Sequence, residues 1–197
     1  MENLALQIRK AAINSGLLFG AIYLVLKVFT FYLITGMTNS FWLIVFSPVI
    51  FSIIVPLLIT IFFALDLRKK IGGYWNFKNA TTGIFIMVFA SFLLNTVLYD
   101  GVFAKVVEPN LIQKTEDAMV NATRSFMEKN STDQKQIDEK VDSVKQQFDS
   151  QINLTVGKII QGYAITTVLL FAYAMILGVI FKRTPLRPFD EVTDPAV

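Results

Sequence analysis

The sequence predicts an all-α integral membrane protein, a four-helix bundle with an extramembrane helical hairpin between its third and fourth transmembrane helices. Three observations support this fold class. Hydrophobic residues make up 54% of the chain and charged residues only 17%, whereas a soluble domain carries about 25% charged residues. The charges leave long gaps, with only Lys27 between Lys10 and Asp66. The one long polar segment repeats its apolar residues at helical spacing.

The uncharged stretches define four transmembrane helices. The stretch between Lys10 and Asp66 is too long for one crossing, because about 20 apolar residues span a bilayer. A small polar cluster at residues 36–40 is typical of a turn and divides this stretch in two. The first helix is longer than the apolar core of a signal peptide, about 7 to 15 residues, so we expect it to be retained. The predicted spans are residues 11–35, 41–65, 79–104 and 157–181.

The basic residues predict the orientation of these helices, because lysine and arginine in short loops stay in the cytoplasm during insertion. Residues 100–158 hold eight basic and ten acidic residues, so we expect this loop outside. The chain then consists of three helices (1–104), an extracytoplasmic hairpin (105–156), and a fourth helix with a cytoplasmic tail (157–197). This orientation accounts for the net charge of +3, so we expect no nucleic-acid partner. The basic residues of the predicted cytoplasmic side are Arg9, Lys10, Arg68, Lys69, Lys70, Lys78, Lys182, Arg183 and Arg187.

The loop between the third and fourth spans predicts two helices. Pro109 suits the first turn of the first helix, where a missing amide costs no hydrogen bond. Ser131 and Gln134 have the spacing of a capping box at the start of the second helix. The first helix carries apolar residues seven apart, at Ile112, Met119 and Phe126. The second carries a heptad-like stripe typical of a coiled coil, formed by Ile137, Val141, Val144, Phe148 and Ile152.

We expect the two helices to continue the third and fourth spans away from the membrane. Their stripes then pack on each other, on a second copy of the chain, or on a membrane-protein partner. Packing within the hairpin is the simplest of these alternatives.

The residue types present argue against an enzyme. The chain contains no histidine and no cysteine, which removes thiol nucleophiles, Ser-His-Asp triads and the usual zinc ligands. The predicted spans contain no paired acids, and no glycine-rich nucleotide fingerprint is present. We therefore predict no catalytic, cofactor-binding or metal-binding residues, and no cofactor.

Lys27 is the one charged residue well inside a predicted span, and such a residue is a candidate functional site because charge is costly in hydrocarbon. Gly16 and Gly20 form a G-x-x-x-G pair on nearly the same helix face, which predicts that Lys27 points inward. Its nearest expected partners are Asn95 and Asp100 on the third span. A structural tie is the simpler interpretation of this polar group, and transport or proton relay is the alternative.

Two further stripes with four-residue spacing lie in the membrane. Pro48, Ser52, Pro56 and Thr60 follow one face of the second span, where two prolines predict a kink. A broken helix of the transporter kind is one interpretation, and ordinary bundle packing is the simpler one. The third span carries small or polar residues that we expect to hold helices together, namely Gly83, Met87, Ser91 and Asn95.

The order of these features resembles a bacterial membrane-protein family known as domain of unknown function 4199. The resemblance covers nearly the whole chain. It implies a four-span protein of the bacterial inner membrane, and it supplies no activity and no site residues. The segments that carry it are Gly72-Gly73-Tyr74-Trp75-Asn76-Phe77-Lys78-Asn79-Ala80, Val107-Glu108-Pro109-Asn110-Leu111 and Lys182-Arg183-Thr184-Pro185.

Two functional hypotheses follow from the residues. The first is a non-enzymatic membrane component that self-associates or binds a partner through the hairpin stripe. The second is a small transporter or channel subunit that uses Lys27 and the proline-containing second helix. The bilayer itself is the only partner that the composition requires.

Overall fold

The computed structural model describes residues 2–130, 133–152 and 154–183. These residues form helices and no strands. Four helices are long and apolar enough to cross a membrane, at Leu4–Met37, Phe41–Lys70, Phe77–Val107 and Val156–Phe181. Each predicted span lies within one of them, which confirms the all-α membrane fold class. The capping residue Ser131 and the basic residue Arg187 lie outside the described residues.

Three of the four spans contain a π-helical segment. The first span is α1 (Glu2–Tyr32) with a π segment at Leu33–Met37. The second is α2 (Phe41–Val49), a π segment at Ile50–Ile54, and α3 (Val55–Lys70). The third is α4 (Phe77–Asn95) with a π segment at Thr96–Val107. The hairpin consists of α5 (Leu111–Lys129) and α6 (Gln134–Ile152), and the fourth span is α7 (Val156–Phe181).

Helix α4 is the centre of the bundle, and α1 packs against it through two glycines. A Cβ atom added to Gly16 would lie 2.9 Å from the Cβ of Ala90, and one added to Gly20 would lie 3.0 Å from the Cα of Ser91. The G-x-x-x-G face therefore does face another span, as in other close membrane-helix contacts. The buried core joins α4 to α1, α3 and α7 and includes Ala12, Phe63, Leu67, Ile84, Met87, Ala174 and Leu177.

The loop between the second and third spans ties α7 to the bundle. Gly72 and Gly73 have φ angles of +99° and +83°, which other residues adopt only with strain. This reversal buries Trp75, whose Nε1 donates to the Phe181 carbonyl at 2.8 Å. The amides of Trp75 and Arg183 also donate to each other's carbonyls. We call this end of the bundle, which also holds the start of α1, the basic end.

The hairpin packs against the opposite end, which we call the hairpin end. Helix α5 contacts the first two spans, where Ala122 forms a buried cluster with Ile34 and Ile44. The ring of Phe126 stacks on that of Phe41 with 4.2 Å between centroids. The expectation that the hairpin continues the third and fourth spans outward is therefore wrong for α5. Apolar residues at the ends of the first two spans offer a surface that α5 covers by folding back.

Candidate functional site: a polar cleft among the four spans

A cleft of about 720 Å³ lies between the spans, in the half of the bundle nearer the hairpin end. Its volume falls within the range of about 300 to 1,000 Å³ that is usual for small-molecule sites. All four spans contribute to its walls, which are largely apolar. Its polar lining residues are Tyr23, Lys27, Ser52, Thr60, Ser91, Asn95, Thr96, Asp100, Thr166 and Tyr173.

Lys27 lies in this cleft with incomplete partners. Its Nζ is 3.6 Å from the Asp100 Oδ1, which is an ion pair too long to be a hydrogen bond. The ammonium also lies 3.8 Å from the centroid of the Tyr99 ring and 5.9 Å from that of Tyr23, where each ring face attracts a cation. Within the described residues, Asp100 is the only side chain that forms an ion pair with this ammonium.

Asn95 is 4% exposed, and only its amide nitrogen has hydrogen-bond partners in the described chain. Its Nδ2 donates to the Gly20 carbonyl at 3.1 Å and to the Ser91 carbonyl at 3.0 Å. Its Oδ1 is buried without a hydrogen-bond partner in the part of the chain that the structure describes, and so is the hydroxyl of Thr96. A buried polar atom without a partner costs about 1 to 3 kcal/mol. Asn95 and Thr96 both line the cleft.

The backbone of the second span is irregular beside the cleft. Pro56 has no amide hydrogen to give to the Ser52 carbonyl, four residues earlier in the helix. The Tyr23 hydroxyl of the first span donates to that carbonyl at 3.5 Å. The π segments at Ile50–Ile54 and Thr96–Val107 both border the cleft. Segments of this kind occur frequently at functional sites.

The structure brings the three predicted membrane residues together, because Lys27, Asn95 and Asp100 all line the cleft. Of the two stripes, three of the four residues of the first and two of the four of the second line the cleft. The members that do so are Ser52, Pro56, Thr60, Ser91 and Asn95.

Sequence reasoning missed Tyr23, Thr96, Tyr99 and Tyr173. Tyr23 is four residues before Lys27, so helical spacing alone could have placed it on the same face. Thr96 is four residues before Asp100 and Tyr99 is four residues after Asn95, so the same spacing could have placed both, whereas Tyr173 carries no such signal.

The predicted hairpin stripe is largely used inside the protein. Ile137 and Val141 are each 2% exposed and Val144 is 9% exposed. Phe148 is half-buried and Ile152 is 53% exposed. Only the end of the stripe nearest α7 is therefore open to a partner.

A second polar group joins the hairpin to the spans at Glu108. Its Oε1 accepts a hydrogen bond from the Tyr32 hydroxyl at 3.0 Å, and its Oε2 accepts one from the Lys114 Nζ at 2.6 Å. The Lys114 hydrogen bond holds the pKa of the Glu108 carboxyl below its ordinary value of 4.5. This group links the first span, the end of the third span and α5.

The family of the chain follows from residues 14–183, which match the model of a family described as "Protein of unknown function (DUF4199)". The chain belongs to this family. The match covers most of the four spans and the whole hairpin, so the cleft lies entirely within the family domain. No curated protein and no solved structure matches the chain significantly. The family description names no activity, and the cleft is therefore interpreted from its geometry.

Proposed function

We propose that this protein is a non-enzymatic membrane protein that binds a small ligand in the cleft, in the manner of a small transporter or channel subunit. The observation that carries this proposal is the cleft of about 720 Å³ itself, which is lined by Lys27, by Asp100 and by Asn95, whose buried Oδ1 has no partner in the described chain. A polar atom this deep is retained where something hydrogen-bonds to it. Lys27, whose charged partner Asp100 is 3.6 Å away, lines the same cleft.

This proposal is favoured over partner binding through the hairpin because of where each set of residues lies. Ile137 and Val141 are buried within the hairpin and offer no surface. The cleft residues instead surround a volume that is large enough for a ligand.

A pair of single-cysteine variants tests the cleft. The natural chain has no cysteine, so each introduced thiol is unique. Thr96 lines the cleft, whereas its neighbour Val97 is 62% exposed on the lipid-facing surface at the same depth. We expect a charged methanethiosulfonate reagent to label Thr96→Cys roughly tenfold or more faster than Val97→Cys, because only a hydrated thiol ionises and reacts. Equal and slow labelling of both variants would contradict the proposal.

Self-association or partner binding through the hairpin remains a second candidate function, supported by the exposure of Ile152 beside Phe148. Crosslinking in native membranes tests it with Ile152→Glu. Loss of a crosslinked species in this variant, but not in the exposed control Gln147→Glu, is the expected result. A crosslinking pattern that Ile152→Glu leaves unchanged counts against this candidate.

We also propose that the chain lies in a bacterial inner membrane, with the basic end in the cytoplasm. The lysines and arginines of that end support this orientation. A reporter fused after Val197 is expected to be active only as a cytoplasmic reporter, and one inserted after Asn130 only as an external one. The opposite pair of results would overturn the orientation.

A further inference from the structure

We infer that the ligand of the cleft is an anionic amphiphile, which reaches Lys27 sideways from the leaflet on the hairpin side, between the second and fourth spans. This inference rests on the proposed function and specifies its ligand. An amphiphile of this class has an acidic head, a carboxylate or a phosphate, and one long apolar tail.

The side opening follows from how the spans pack. Near the basic end the second and fourth spans share the core, through Leu67, Ala174 and Leu177. Nearer the hairpin end they separate, and the cleft lies between them. The residues at its margin face outward, with Ile53 60% exposed and Leu169 63% exposed. An apolar margin at membrane depth admits a molecule from the hydrocarbon and resists a fully polar solute.

The head chemistry follows from Lys27. Its charged partner among the described residues is Asp100, 3.6 Å away, so the ammonium still lacks an acceptor at the shorter distance of a charge-assisted hydrogen bond. A carboxylate or phosphate oxygen can fill that role with a short charge-assisted bond. Ser91 and Asn95 add further polar side chains to the same wall.

A cationic ligand fits the cleft less well. It would have to pair with Asp100 while lying close to the Lys27 ammonium. The Asp100 side chain is 45% exposed, whereas that of Lys27 is 23% exposed. The charge that is more deeply buried, and therefore gains more from a new partner, is the positive one.

The tail follows from the rest of the lining. Phe19, Val88, Phe92 and Leu170 extend the wall away from Lys27 and offer no polar group at their side chains. A small anion alone would leave this apolar volume unfilled, and an alkyl chain gains free energy from each methylene that it buries there.

Protection of the Thr96→Cys thiol tests the inference in phosphatidylcholine vesicles. The probes are hexadecyl phosphate and hexadecanoate, with hexadecan-1-ol and inorganic phosphate as controls. At ten times the dissociation constant, we expect either anionic amphiphile to slow labelling about tenfold. We expect neither control to do so. An anionic amphiphile also changes the surface charge of the vesicle, and this alone alters the labelling rate with a charged reagent. Lys27→Met in the same Thr96→Cys background is exposed to the same surface charge, so its labelling rate measures this effect separately.

Three substitutions test whether the positive charge of Lys27 holds the ligand. Lys27→Met should abolish protection, and Lys27→Arg should retain it, which also shows that the site folds without lysine. Asp100→Asn should strengthen protection, because the carboxylate competes with the ligand for Lys27. Protection by hexadecan-1-ol or by inorganic phosphate alone, or loss of protection in Asp100→Asn, would overturn the inference. A thiol that reacts but is never protected overturns it too, and leaves the hydrated cleft standing. A thiol that never reacts contradicts the proposed function itself.

Discussion

Replacing Gly16 with alanine should separate the first and third spans. The new Cβ would lie 2.9 Å from the Ala90 Cβ and 3.1 Å from the Met87 carbonyl carbon, with the Met87 carbonyl oxygen closer still. Backbone atoms cannot rotate away as a side chain can, so α1 must shift. Overpacking of this kind costs about 1 to 3 kcal/mol, or about one to two decades in the folding equilibrium constant.

The matched control is Gly162→Ala, since no described neighbouring atom lies within 4 Å of a Cβ added there. Both variants gain the same helix propensity, up to about 1 kcal/mol, so their difference isolates the contact. Reversible unfolding of the purified protein in mixed micelles measures it. Adding Ala90→Gly should restore only part of the loss, because the Met87 backbone remains. Equal stability of Gly16→Ala and Gly162→Ala would refute the close packing of the two spans.

Three further predictions concern the ends of the bundle. Trp75→Phe should lower the free energy of unfolding by about 1 to 3 kcal/mol, because the Phe181 carbonyl loses its 2.8 Å donor; micelle unfolding measures this, and a wild-type value would contradict it. Docking of α5 should be strongest above the ordinary carboxyl pKa of 4.5 and weaken as pH falls through the lower folded-state pKa of Glu108. Hydrogen exchange in α5 should show this dependence, and Glu108→Gln should remove it; an unchanged profile in that variant would exclude the mechanism. Phe126→Leu should loosen α5 by about 0.5 to 1.5 kcal/mol through loss of ring stacking, and unaltered exchange in α5 would show that the stacking is unimportant.

Much of the candidate site could be predicted from residue spacing. Gly16, Gly20 and Lys27 share a helix face, and that face does meet the third span. Asn95 and Asp100 follow because both lie at a similar depth on that span. The cleft itself could not be predicted, because a cavity is the space that helices leave between them. Its size depends on ångström-scale crossing distances and on π segments that have no spacing signal.

The structure of the hairpin, too, could be predicted from the sequence only in part. The apolar stripe of α6 predicts one buried face, and Ile137 and Val141 are indeed buried. The stripe of α5 does not say which surface it covers, since α6 and the ends of the first two spans are both apolar. The turn at residues 108–110, held by the Glu108 contacts, and the cluster of Ala122 with Ile34 and Ile44 together place α5 over those spans.

Residue composition and spacing alone predict that this protein lies in lipid, how many spans it has and where they lie, and that one charged side chain points inward. Each of these depends on local composition and helical period, which the hydrocarbon enforces residue by residue. That Lys27 and Asp100 line a cleft, with the Asn95 Oδ1 unpartnered among the described residues, follows from the tertiary structure alone. That outcome depends on how four helices cross, and apolar side chains in lipid permit many crossings of similar free energy.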